Sequence, residues 1–184
     1  MALSNGDHLN TLAAKMKRGD RRAAAALYDD LAPKVYGFVL ARTSKKEAAE
    51  DLMQDVFLKL IEKIESFDEK KGKFTVWFWQ VVRNMLVDHY RGKKEMPFSA
   101  FEEEAVAAMA VGEMPDLQVK MRHDRVAEFV LELSHEEREL FELRYVAEMP
   151  YREIASLLGK SEASLRVKAL RIKGKIKKEF KHEA

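Results

Sequence analysis

Residues 74–91 read FTVWFWQVVRNMLVDHYR, and the architecture turns on this stretch. Phe74, Trp77, Phe78, Val81 and Met85 recur at i, i+3, i+4, i+7 and i+11. That is the apolar stripe of a helix laid against a core. Trp79 and Arg83 lie four apart and off the stripe, so they share a second face. An exposed ring there could stack on an unpaired base while the cation beside it holds a phosphate. A buried ring would simply be core, as large apolar side chains usually are, and the spacing leaves Trp79 open between the two. The segment turns polar at Arg83 and Asn84 and leaves through Arg91, Lys93 and Lys94. Asn tolerates capping and left-handed conformations. The expectation is therefore two helices, 74–83 and 85–93, with Asn84 at the break.

Upstream, the patterns are helical throughout. Leu9, Leu12, Ala13 and Met16 share one face of a helix starting near Asp7 and ending at Gly19. Asp20 is placed to cap the next, in which Leu27, Leu31, Val35, Phe38 and Val39 face inward. Pro33 lacks an N–H and is expected to kink or restart that helix. Ser44 to Glu47 has the S-x-x-E form of a capping box and opens a helix to about Ile64. Ala48, Leu52, Val56, Phe57, Leu60, Ile61 and Ile64 are its expected buried face. Glu47, Glu50, Asp51, Gln54, Asp55 and Lys59 form the opposite one. Asp51 and Asp55 could share a metal ion, but no third ligand or phosphate-cradling loop accompanies them. Residues 66–73 make a charged turn containing Gly72.

Downstream, periodicity weakens. Residues 96–119 carry Pro97 and Pro115, and residues 99–119 hold five acids and no base. This is the composition of a linker. Helical spacing resumes at Val126, Phe129, Val130 and Leu133. Ser134 and Glu137 form a second capping box. Pro150 suits a first helical turn and Gly159 the position just past a helix end. Ser161 then caps a basic helix to about Phe180, with Leu165, Ala169, Ile172 and Ile176 facing inward. Two helices joined by so short a turn form a helix-turn-helix. Ser164, Arg166, Val167, Lys168, Leu170 and Arg171 are left to face a major groove.

The totals narrow the class. Among 184 residues there are eight Gly, four Pro and no Cys, with 47% hydrophobic and 35% charged side chains. This is a helical globular composition that excludes disulfides and thiolate metal sites. The five His, at positions 8, 89, 123, 135 and 182, have no ligand spacing, so no metal or other cofactor is expected. No apolar run approaches a membrane span, and the first residues lack the pattern of a signal peptide. A cytoplasmic location is expected. The net charge of +2 hides an asymmetry: residues 161–184 carry eight Lys and Arg against three acids. A basic end with an acidic middle points to nucleic acid at one end of the chain.

Three motifs together carry a resemblance. WFWQVVRN, followed by Asp88 and a basic run, is similar to the promoter-melting segment W-L-Y-R-I-A-x-N of extracytoplasmic-function (ECF) sigma factors of bacterial RNA polymerase. AEDLMQDVFLKL resembles that family's AEDLVQETFLRAW. YREIASLLGKSEASLRVKALRIKGKIK resembles its YEEIAEILGISEGTVKSRLHRARKKL. The resemblance implies an all-α chain of two small helical domains: 7–95, for core docking and −10 recognition, and 120–184, for −35 recognition. The acidic linker 96–119 would join them, in a position where such linkers run through the RNA-exit path. It assigns Asp51, Gln54 and Asp55 to RNA polymerase core and Trp79, Arg83, Asn84 and Arg91 to −10 DNA, with Asn84 reading a flipped base. The helix-turn-helix positions above would read −35 DNA. It further implies an anti-sigma partner and a non-enzymatic role.

Three departures stand out. Gln80 replaces a common Arg, Lys160 an apolar residue and Val167 a frequent Ser. The base-sequence preference upstream is therefore not carried over. A free-standing helix-turn-helix regulator would account for 120–184 but would leave the acidic helix and the Trp-rich stretch without a role.

Overall fold

The computed structural model describes residues 5–43, 45–92, 129, 130 and 132–179. Among these it is all-α. Helix α1 spans Asn5–Lys17, α2 Arg21–Thr43, α3 Lys46–Lys63 and α4 Phe74–Gly92. A 3-10 turn at Ile64–Ser66 follows α3. After the undescribed stretch come α5 (His135–Tyr145), α6 (Tyr151–Leu158) and α7 (Glu162–Glu179). The linker 96–119, Ser44, Val126, the basic exit at Lys93 and Lys94, and the end at Phe180 lie outside the described residues.

Capping chemistry sets most of the boundaries. The Asp20 carboxylate accepts the backbone N–H groups of Arg22 (2.9 Å) and Ala23 (3.2 Å) at the start of α2. These are donors that a helix start otherwise leaves orphaned. Ser134 and Glu137 complete their reciprocal box at the start of α5. Ser161 Oγ accepts the Ser164 N–H at 3.2 Å. Gly19 and Gly159 take left-handed φ values of 85° and 64° at the ends of α1 and α6, where a Cβ would be strained. Pro150 sits at the N-cap of α6, one residue before the helix.

The first four helices form a bundle in which α2 packs on α1 and α3, and α4 on α3 and α1. Two ties fix the start of α4. Asn10 Oδ1 accepts the Phe74 N–H at 2.7 Å, and the Lys73 ammonium meets Asp7 at 2.5 Å. The Lys17 ammonium donates to the carbonyls of Glu65 (2.7 Å) and Phe67 (2.9 Å), pinning the 3-10 turn to α1. Helices α5, α6 and α7 pack on one another, and α6 also packs on α4. Buried side chains of the two halves are continuous in one apolar core, from Leu9 to Ile172.

Four expectations are corrected. Helix α2 runs through Pro33 as one helix, which overturns the restart, one half of the kink or restart expected there. Pro33 and Asp29 are both exposed, so water can satisfy the Asp29 carbonyl that loses its helical donor. Helix α4 is continuous, and Asn84 lies inside it rather than at a break. Its amide oxygen accepts from Gln80 Nε2 at 2.8 Å, one turn back. Helix α3 starts after Lys45, with no side-chain cap. Ile61 is 61% exposed instead of buried, while Leu52, Val56, Phe57, Leu60 and Ile64 do face the core.

Candidate nucleic-acid interface

Three surfaces carry the chemistry. The first is the outer face of α3, where Asp51, Gln54 and Asp55 are exposed. Among the described residues none of the three is paired. Leu58 and Ile61 continue the same face, both largely exposed. The sequence reading missed this apolar extension by assigning Ile61 to the core; position 61 lies at the edge of the stripe, where periodicity does not decide. Two exposed aliphatics beside three polar positions make a surface suited to a protein partner, since interface cores are apolar inside a polar rim. Among the described residues no group of three or more His, Cys, Asp or Glu is arranged to hold a metal ion.

The second surface lies between α2 and α4. Trp79 corrects an expectation here: it is 1% exposed, its ring edge-on to Phe38 at 4.9 Å and to Phe78 at 6.0 Å. It is core and offers no face to a base. The reason is that α2 covers this side of α4, its Phe38 ring packing on Trp79, so the off-stripe face is buried too. Asn84 is exposed and Arg83 half-buried. Arg83 donates through Nε to Glu139 of α5 at 2.9 Å, with Nη2 at 2.8 Å from the same oxygen. Arg91 is exposed, 4.0 Å from Asp88.

A cleft of about 280 Å³ opens on this side, lined by Phe38, Arg42, Arg83, Asn84, Tyr90 and, from α5, Glu139. Arg42 was not picked out from the sequence. Its guanidinium lies 3.8 Å from the Phe38 ring centroid and pairs with Glu142 of α5. Tyr90 donates its hydroxyl to the Arg42 carbonyl. Burial raises the Tyr90 hydroxyl to about 12.

Glu142 is 1% exposed. Burial pushes its carboxyl up to about 7, against the opposing pull of Arg42. Desolvation of the fully buried carboxylate outweighs its pairing with Arg42.

The third surface is α6–α7. Leu165, Ala169 and Ile172 are buried, with Ile176 packed beside them. Ser164, Arg166, Val167, Leu170 and Arg171 are exposed, Leu170 at 69%. Arg166 pairs with Glu162 at 2.5 Å and lies 5.0 Å from the Tyr151 ring centroid. Lys168 is half-buried and pairs with Glu136 of α5, which also holds Lys160 at 2.9 Å. Hydrogen bonds from these two lysines lower the Glu136 carboxyl to about 2. Lys175 is tied to Glu137 at 2.9 Å. Among the described residues Arg171 is exposed and makes no ion pair, as do Lys173, Lys177 and Lys178 further along α7, so these cations are available to a ligand.

An exposed acidic face, a cleft with arginines beside exposed polar side chains, and a helix-turn-helix with a basic second helix are the features to set beside known proteins. Residues 27–95 match the family model of Sigma-70 region 2, and residues 123–176 that of Sigma-70 region 4. Over 144 residues the chain is 33% identical to the ECF RNA polymerase sigma factor SigM of Bacillus subtilis (strain 168), covering 78% of this chain and 86% of that one. Two solved structures share the fold. CnrH, in complex with the cytosolic domain of CnrY, superposes with a TM-score of 0.64 at 20% identity, covering 96% of this chain and 99% of that one. The sigma factor RpoE of Bartonella quintana, in complex with the anti-sigma factor NepR, gives 0.60 at 19%, covering 84% and 94%.

The chain belongs to the ECF sigma factors: it is an alternative sigma factor that directs RNA polymerase to promoters. This accounts for both halves, which the free-standing regulator did not. Members of this family are initiation factors, not enzymes. No helix among the described residues is long and apolar enough to cross a membrane.

Proposed function

We propose that the outer face of α3 docks on RNA polymerase core through Asp51, Gln54 and Asp55, with Leu58 and Ile61 adding apolar contact. The observation that supports this most directly is the exposure of all five on one helix face. The cleft between α2 and α4 takes the unpaired non-template strand of the −10 element. Asn84 contacts the extruded base, and Arg42, Arg83 and Arg91 hold its backbone. Helix α7 reads the −35 duplex through Arg171 and Arg166, with Ser164, Val167, Lys168 and Leu170 alongside. Phosphate contacts supply affinity and fewer side chains touch base edges.

In this reading residues 7–95 and 120–184 act as two DNA-binding units joined by the linker 96–119. The factor works in the cytoplasm, where polymerase and chromosome meet, and an anti-sigma partner holds it in reserve; the RpoE structure is itself a complex with an anti-sigma factor. Core docking is tested by Asp55→Arg with Gln54→Ala. The pair should abolish co-elution with core while helical content, measured by circular dichroism, stays unchanged. Co-elution retained at moderate salt would remove α3 as the docking face.

A further inference from the structure

One face of α5 carries His135, Glu139, Glu142 and Val146 at i, i+4, i+7 and i+11, and it is turned toward the first half of the chain. Glu139 meets Arg83, Glu142 meets Arg42, and Glu148, just beyond the helix, meets Lys34 at 2.6 Å. Thr75 donates its hydroxyl to Glu153 of α6. In each of these three ion pairs the cation belongs to the first half and the carboxylate to the second. These are cations of the kind that meet a phosphate backbone, paired here with carboxylates from the same chain. Arg42 and Arg83, with Asn84 and Tyr90, also line the strand-binding cleft, and His135 and Glu139 stand at its wall.

We infer that α5 is an intramolecular competitor for the promoter strand, so that the closed arrangement of the two halves and capture of unpaired −10 DNA exclude one another. This rests on the cleft being the strand site. The same arrangement leaves the outer positions of α7 exposed, Arg171 and Leu170 among them. The closed form therefore keeps its grip on duplex DNA while its strand site is covered. Upstream duplex contact comes first and strand capture follows once α5 withdraws. A ligand that needs the open form binds more weakly in proportion to the fraction open.

The chain has no cysteine, which makes a lock straightforward. A Cβ built on Gly37 lies 3.0 Å from Cγ1 of Val146. Cγ1 is one bond from the Val146 β carbon, so the two β carbons are no more than about 4.5 Å apart, the upper end of what a disulfide spans. The test is the full chain carrying Gly37→Cys and Val146→Cys. It is titrated with a short fluorescein-labelled single-stranded DNA of mixed sequence, and separately with a mixed-sequence duplex, before and after reduction.

Oxidised protein should hold duplex unchanged and bind single strand at least about ten-fold more weakly than reduced protein, as when no more than one molecule in ten can open. Reduction should restore it. Without any disulfide, Glu139→Gln with Glu148→Gln should tighten single-strand binding and leave duplex affinity alone. Failure of the disulfide to form under mild oxidation would overturn the closed arrangement. Equal single-strand affinity of oxidised and reduced forms, with Arg42→Ala weakening both, would overturn the competition and keep the cleft as strand site. If Arg42→Ala and Asn84→Ala leave the reduced form's single-strand affinity unchanged, the cleft is not the strand site and the competition falls with it.

Discussion

Replacing Trp79 by Ala should destabilise the chain although the ring itself does not face DNA. A buried aromatic ring of this size removes about 150–250 Å² from water. At about 25 cal/mol per Å² the whole side chain is worth on the order of 4–6 kcal/mol, and truncations of large aromatics to Ala cost about 3–5 kcal/mol. Trp79 is boxed by Phe38 and Phe78, two rings that cannot both move into the void, so a loss of about 4 kcal/mol is expected. In a chain of this length each kcal/mol lowers the melting midpoint by about 2–4 °C, giving a fall of roughly 8–16 °C. The loss should reach further, because the Phe38 ring that packs on Trp79 also carries the Arg42 guanidinium. Thermal melts followed by circular dichroism read the effect, with Trp79→Phe expected to recover most of it. A Trp79→Ala midpoint within a few degrees of the parent would show that the ring is not a core element.

Closure of the two halves should depend on pH through Glu142. Its carboxyl stands at about 7 in the closed form against an ordinary 4.5. The closed form therefore keeps a proton that the opened form has lost. Closure is strongest below about 4.5, weakens as pH rises to about 7 and is flat above, by up to about 3 kcal/mol in all. Energy transfer between dyes on the two halves should fall across that window in the parent and stay level in Glu142→Gln; equal slopes in both would exclude Glu142 as the titrating group. On α7, Arg171→Ala should cost about 1–3 kcal/mol of duplex affinity and relax one base position if the contact is a bidentate guanine. Arg166→Ala should act more broadly, because that side chain also bridges Glu162 and Tyr151. Titrations against matched and mismatched upstream duplexes at fixed salt separate the two.

Local chemistry was legible wherever a single helix decided it. Asp20, Ser134 and Ser161 cap where their side chains reach orphaned N–H groups, and Gly19 and Gly159 end helices where φ is positive. The inner faces of α2 and α7 followed from spacing alone. Features that depend on another helix, or on the other half of the chain, were not legible. Trp79 read as ambiguous because a stripe argument on α4 alone does not show that Phe38 of α2 covers the off-stripe face. Glu142 lies in a segment rich in charge, and nothing local marks it as buried; its partner Arg42 is in the opposite half. The face His135, Glu139, Glu142, Val146 was present in the spacing, but a stripe holding two carboxylates does not register as apolar. Asn84 suggested a break because of its propensity, yet the Gln80 amide and unbroken packing keep α4 helical through it.

The central claim is that this chain brings polymerase core to a promoter and that the α4 face then holds the opened strand. Permanganate reactivity of unpaired thymines tests it most directly, on a promoter selected with the reconstituted holoenzyme. Core alone should leave the duplex unreactive, and core with the chain should expose thymines in the −10 element. Asn84→Ala should bind the closed promoter nearly as well, since duplex capture rests on long-range charge, but leave fewer reactive thymines. A chain that binds the duplex equally with or without core, and adds no reactive thymine when core is present, would contradict the account.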